Sequence, residues 1–134
     1  MRSLLLSIAA LAWFASASGS SAAQNDLFGV WRNPKNSVHI DIQPCGASAC
    51  GRVIWASEKA RAAALKGSGK ELVGLQLFRE FEPDEDEWRG KVFVPDLNRT
   101  FSGAVRLRDA SHLEARGCAL GRLFCKTQTW TRVS

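Results

Sequence analysis

Few residues in this sequence have the types and spacing that chemistry needs. His39 and His112 are its two histidines. A catalytic nucleophile needs a base beside it, yet each histidine sits on the outward phase of its strand, His39 between Val38 and Ile40 and His112 just before Leu113. Both are expected on exposed strand faces. There is no Gly-x-Ser-x-Gly elbow and no glycine-rich loop opening a helix. Paired carboxylates can do acid–base work, and Asp84-Glu85-Asp86-Glu87 is the one dense acidic run. Four consecutive acids at a turn are solvated, and they lack the alternating ligand spacing of a calcium loop. These residues imply no catalytic set, no metal, no cofactor and no enzyme.

Cysteine and tryptophan are more informative. The four cysteines fall in two close pairs, Cys45/Cys50 and Cys118/Cys125, each bracketing a turn. Zinc sites use tighter pairs and often histidine, so two local disulfides are expected. Loops this short contribute only about 2 kcal/mol each in the chain-entropy model. Their role is to fix two turns. Trp31, Trp55, Trp88 and Trp130 suit either the core of a small barrel or a ligand wall. The closing stretch reads as a hairpin in which one strand ends at Cys118, the chain turns at Gly121, and a last strand runs from Phe124 to Val133. On that strand Lys126, Gln128 and Arg132 share a phase with Phe124 and Trp130, while Cys125, Thr127, Thr129, Thr131 and Val133 form the other. The pattern leaves open which phase is inner. If Trp130 points inward, polar groups go with it and require partners.

The chain of 134 residues opens with Met1-Arg2-Ser3, an apolar stretch from Leu4 to Phe14, and small residues from Ala15 to Ala23. That is the pattern of a secretory signal peptide over 1–23, with Gln24 as the mature start and residues 24–134 as one domain. Export to the periplasm or beyond matches the even cysteine count. No later stretch is apolar enough to span a membrane as a helix. The net charge of +5, one less without Arg2, is scattered rather than striped, which argues against nucleic acid.

After the leader the sequence alternates as strands. Phe28–Arg32 precedes a turn at 33–37, and Val38, Ile40 and Ile42 then alternate with polar residues. Val53 and Trp55 share a face of the third strand. The segment 57–70 interrupts with helix formers, enough for one or two turns or a loose excursion. Strands resume over Leu72–Phe81, with Val73, Leu75, Leu77 and Phe81 in phase, then Trp88–Val94, Arg99–Arg108, a seventh from Leu113 and the closing eighth. Short strands joined by turns predict an all-β, eight-stranded up-and-down antiparallel barrel with one excursion. A barrel of this size is just filled by side chains or holds one small ligand. Its predicted interior is Ile40, Ile42, Trp55, Leu75, Leu77, Val92, Phe101, Val105 and Gln128, with Trp31, Trp130 and Arg132 as structural residues.

Gly29-Val30-Trp31-Arg32-Asn33-Pro34, Pro44-Cys45-Gly46, Cys50-Gly51-Arg52-Val53-Ile54-Trp55, Leu72–Leu77 and Thr127-Gln128-Thr129-Trp130-Thr131-Arg132 resemble the bacterial family known as domain of unknown function 2147. The resemblance implies a small exported bacterial protein and names no activity. Glu58 to Lys70 departs from it, being alanine-rich where relatives often carry a Pro- and Asn-rich loop. A looser resemblance, Gly-x-Trp on the first strand and Arg on the last, is to lipocalin and calycin barrels; it implies that Arg132 packs over Trp31 and closes one end. The absence of tyrosine removes the second lipocalin motif. Together these readings point to a non-enzymatic barrel binding a small apolar or amphipathic ligand of the lipid or fatty acid class. The alternative is an envelope interaction or inhibitor module with a filled barrel acting through its loops.

Overall fold

The computed structural model describes residues 11–12, 26–119 and 123–134. The expected leader, apart from Leu11 and Ala12, and the expected turn at Gly121 lie outside the described residues. Eight strands follow one another: β1 Gly29–Arg32, β2 Val38–Cys45, β3 Ser48–Ala56, β4 Gln76–Asp84, β5 Glu87–Val94, β6 Arg99–Asp109, β7 His112–Ala119 and β8 Phe124–Arg132. Each pairs antiparallel with the next, and β8 returns to β1 through Trp31↔Arg132 and Arg32↔Thr131, closing the barrel. Closure leaves no sheet edge to template pairing with another chain. Both disulfides take the local pairing, Cys45–Cys50 and Cys118–Cys125.

Antiparallel succession sends alternate connections to opposite ends. One end, the rim, carries the β1–β2, β3–β4, β5–β6 and β7–β8 connections. The other, the plug, carries the three remaining turns and both flanks of the barrel, from Asp26 and at Ser134.

The plug is built around Trp31, which is fully buried. Its indole Nε1 donates to the Leu27 carbonyl at 2.9 Å. The Arg132 guanidinium lies 4.2 Å from the centre of the Trp31 ring. It donates to the carbonyls of Ala110 at 2.7 Å, Phe28 at 3.0 Å and Asp26. A planar fork of donors can span three carbonyls while its face rests on an indole; an ammonium cannot. Gly29 makes this approach possible: its φ of 128° is disfavoured for side-chain-bearing residues, and a Cβ there would lie 2.6 Å from the Ser134 carbonyl oxygen and 2.9 Å from Arg132 Nη1. Gly29→Ala is therefore expected to destabilise the barrel by about 1–3 kcal/mol, read as a lower urea midpoint at unchanged slope.

The middle of the barrel is packed. Ile40, Ile42, Val53, Val105 and Leu113 are all essentially inaccessible. Phe78 contacts Trp130 and Phe81, with ring centres 5.6 and 5.4 Å apart. The Phe81 ring occupies the space in front of two glycines: a Cβ on Gly90 would come within 2.8 Å of it, and one on Gly103 within 3.4 Å.

Two bulges correct the predicted phases. Between β2 and β3 the register runs His39↔Trp55 and then Ile40↔Val53, so Ile54 is an extra residue. An inserted residue reverses the alternation beyond it, and Trp55 faces outward, 44% exposed, rather than into the barrel with Val53. On β4 the register shifts between Arg79 and Glu82, where Glu80 takes a φ of 54°. Phe78 and Phe81, three apart, consequently both point inward. Leu77 is buried, but on the face of Arg79 and Phe93 opposite to Phe78, which corrects its interior assignment. Leu72 is buried ahead of β4, which starts at Gln76 rather than Leu72.

The excursion is a helix, α1, over Glu58–Ser68, longer than the one or two turns expected. Its ends are both satisfied. The Ser57 hydroxyl accepts from the Ala60 N–H at 3.2 Å, and Gly69, at φ 74°, donates its N–H to the Leu65 carbonyl. Ala64 is fully buried in the same cluster as Leu72, Leu77 and Phe93, and Gly67 abuts the Asp96 carbonyl. Small residues on one face thus let α1 lie close to the β5–β6 turn.

Candidate functional site at the barrel rim

The inner phase of β8 runs from the plug to the rim. Arg132 and Trp130 face Trp31 and Leu113, and the same phase continues through Gln128, Lys126 and Phe124. This answers the question the sequence left open. Trp130 is buried, while Gln128, Lys126 and Phe124 are exposed. Gln128, expected in the interior, is held at the rim instead, where its Oε1 accepts the Trp130 indole N–H at 3.1 Å. Its partner on β7 is Ala115, and that of Lys126 is Gly117. A Cβ on Gly117 would meet no atom within 4 Å, in contrast to Gly103, its partner on β6, and Gly90 beyond it on β5. The inner wall is therefore open beside Lys126 and closed beneath by Phe78, Phe81 and Trp130.

The remaining predicted interior residues sort by depth. Ile40, Ile42 and Val105 are buried in the packed middle. Val92 and Phe101 are register partners on the inner face and only partly buried. Leu75 lies just before β4, partly buried, its carbonyl accepting from Val53 N–H at 2.9 Å. Among the described residues, no polar or charged residue is buried. The middle of the barrel thus offers no partner for a polar group, and polar recognition is confined to the rim.

The groups that could do acid–base chemistry stand apart. His112 pairs with Asp109 at 2.9 Å on the exposed β6–β7 turn at the plug end. Hydrogen bonds from the Ser111 backbone and His112 hold the Asp109 carboxyl below its ordinary value. His39 lies near the rim end, under the Trp55 ring at 4.7 Å and within reach of the Asn36 side chain at 2.8 Å. Burial, and then the charge of Arg32, push its pKa below the ordinary value of 6.5. The neutral ring is favoured by folding, so its contribution to stability is complete above that value and is lost as pH falls through the lowered one. Trp55→Ala is expected to raise the His39 midpoint towards 6.5, and Arg32→Gln to do so by less, as followed by ring-proton NMR. A shallow recess of about 120 Å³ on the outer face of β5–β7 is lined by Glu87, Ala104, Arg106, Glu114 and Arg116. Its charges pair with one another, Arg106–Glu114 at 3.7 Å and Arg116–Glu87 at 3.9 Å. Among the described residues no helix is long and apolar enough to cross a membrane.

A family model described as an uncharacterized protein conserved in bacteria, DUF2147, matches residues 29–132. The chain belongs to the DUF2147 family. The match begins at the first residue of β1 and ends at the last of β8, so the DUF2147 unit is the closed barrel itself. Among solved structures, this DUF2147 chain is similar to HP1028 from Helicobacter pylori, described as belonging to the lipocalin family. The two share 16% identity over 81% of this chain and 83% of that one, with a TM-score of 0.68. The DUF2147 barrel is thus lipocalin-like in fold. No curated protein matches it.

Proposed function

We propose that this protein acts by binding rather than catalysis, holding a small amphipathic ligand of the lipid or fatty acid class at the rim of its barrel. The observation that carries this reading is the gradient along the inner face of β8, from buried Trp130 through Gln128 to Lys126, beside the open wall at Gly117. The apolar part of the ligand rests on Phe101, Val92 and Trp130, and an anionic head meets Lys126 with Gln128 alongside. Of the interior residues suggested by the sequence, Val92, Phe101 and Gln128 belong to this rim site; Ile40, Ile42 and Val105 support it from below. We also propose that residues 1–23 are a cleaved leader and that the barrel works in the bacterial envelope. The leader pattern and the two disulfides support this.

Native mass spectrometry of protein purified gently from the envelope tests the reading. The expected result is a discrete added mass, removed by organic extraction, on a chain starting at Gln24. In a displacement assay with a fluorescent fatty acid, Gly117→Leu is expected to abolish binding with the melting temperature nearly unchanged, because the new side chain enters open space. Lys126→Gln is expected to weaken binding about tenfold through the lost charge-assisted contact. A bare mass and no displacement would sink the proposal. The second reading, an interaction module working through its loops, is favoured by the packing of Phe78, Phe81 and Trp130 across the barrel.

A further inference from the structure

Past the expected leader, the exposed large apolar side chains gather at one end of the barrel, with Val133 at the plug end the exception among the described residues. Trp55 is 44% exposed, Leu65 48%, Val73 40%, Leu97 61%, Leu123 78% and Phe124 66%. They come from the end of β3, α1, the approach to β4, the β5–β6 turn and the β7–β8 hairpin, which all lie at the rim end. Charge is biased in the same direction, with both signs at each end: Glu58, Glu71 and Asp96 are exposed among the rim-end cations, and Arg89 pairs with Asp84 and Glu87 of the acidic turn at the plug end. Lys35, Lys59, Lys66, Arg99 and Lys126 are exposed at the rim end. At the plug end, the segment from Glu82 to Glu87 carries five acids and no base.

We propose that the rim end docks on the surface of an anionic lipid bilayer. Single apolar tips on separate connections, interleaved with lysines, match the headgroup–acyl boundary, where each tip enters shallowly and each cation meets a lipid charge. A protein interface of comparable size would be poor in lysine, with aromatic anchors gathered at its centre. The acidic turn points the opposite way, so the field of a negative surface orients the barrel rim-first. Trp55, turned outward by the bulge at Ile54, is a side chain of the type that collects at membrane interfaces. The inference goes beyond ligand binding and does not depend on it.

The test is flotation of the exported protein with phosphatidylcholine vesicles, with and without phosphatidylglycerol. Retention is expected with the anionic vesicles only, falling steeply with salt. Lys59→Gln and Lys66→Gln, on the exposed face of α1, are each expected to lower the partition coefficient about fivefold. Leu97→Asp is expected to lower it at least as much, with near-UV circular dichroism unchanged. Arg106→Gln and Arg108→Gln, on the β6 half nearer the plug, serve as the charge-matched control and leave it within twofold. Gly117→Leu retains vesicle binding while losing ligand, which separates this inference from the rim-site reading. Absence of retention, equal retention on neutral vesicles, equal losses from the plug-side variants, or rim variants that disturb only capture of a soluble protein would overturn it.

Discussion

Trp31→Ala is expected to cost about 3–5 kcal/mol, a large part of the stability of a domain this size. The melting temperature should fall by more than 12 °C, at roughly 4–8 °C per kcal/mol. The reason is convergence. Trp31 fills the plug end, its indole N–H satisfies the Leu27 carbonyl, and its ring is the surface on which Arg132 lies. Removing the ring leaves a cavity, frees a buried carbonyl, and strips the guanidinium of its platform while its three carbonyl partners remain. Arg132→Lys isolates the last part: the charge is kept, but one ammonium cannot hold Ala110, Phe28 and Asp26 together. A loss of about 1–3 kcal/mol is expected, from unsatisfied carbonyls rather than lost volume. Because the two side chains touch, the double variant should cost less than the sum. Additive losses would mean that the stacked contact contributes nothing. Urea unfolding followed by the emission of Trp88 and Trp130, which are present in the parent and in all three variants, measures the losses.

The parts of the fold that were legible in the sequence are those that depend on local spacing. Alternation with period two located the strands, because a sheet buries one face. Five- and seven-residue cysteine separations implied local pairs, and the disulfides are Cys45–Cys50 and Cys118–Cys125. What period two cannot show is where it slips. Ile54 and the Glu80 region each insert one residue, and each slip exchanges inside for outside: Trp55 leaves the barrel, Phe78 enters it, and Leu77 moves to the far face. No local residue choice announces the Ile54 bulge; only the partner strand defines it. Gly90 and Gly103 read as gaps in an alternating pattern, and their meaning depends on Phe81, which reaches them from β4. The openness at Gly117 was equally hidden, since the same residue type in the same phase is filled at Gly103 and empty at Gly117. The end-to-end asymmetry was present in the sequence. The acidic turn at 82–87 and the lysines of 57–70 stand in connections of opposite parity, and in an up-and-down barrel opposite parity means opposite ends.

Phe81→Ala is expected to turn a filled barrel into a hollow one. An eight-stranded barrel stands at the size where side chains either complete the interior or leave room for a guest. Here the balance rests on one ring. Phe81 is 1% exposed, packs against Phe78, and occupies the volume that Gly90 and Gly103 leave vacant. Truncating it opposite two residues without side chains leaves a void that neighbours cannot close by rotating a Cβ substituent inward, so the cost should lie at the upper part of about 3–5 kcal/mol. The void would open beside Phe78 and in front of Gly90 and Gly103, within a buried cluster that holds no buried polar residue among the described residues, and such cavities stay dry and admit small apolar molecules. The variant should therefore bind benzene or xenon where the parent does not, with a rise in melting temperature on ligand addition. Restoring part of the bulk at the same position, with Phe81→Leu, should recover part of the stability and weaken the new binding. If Phe81→Ala costs under about 1 kcal/mol and admits nothing, the barrel has collapsed around the gap, and its interior is held by closure of the strands more than by this ring.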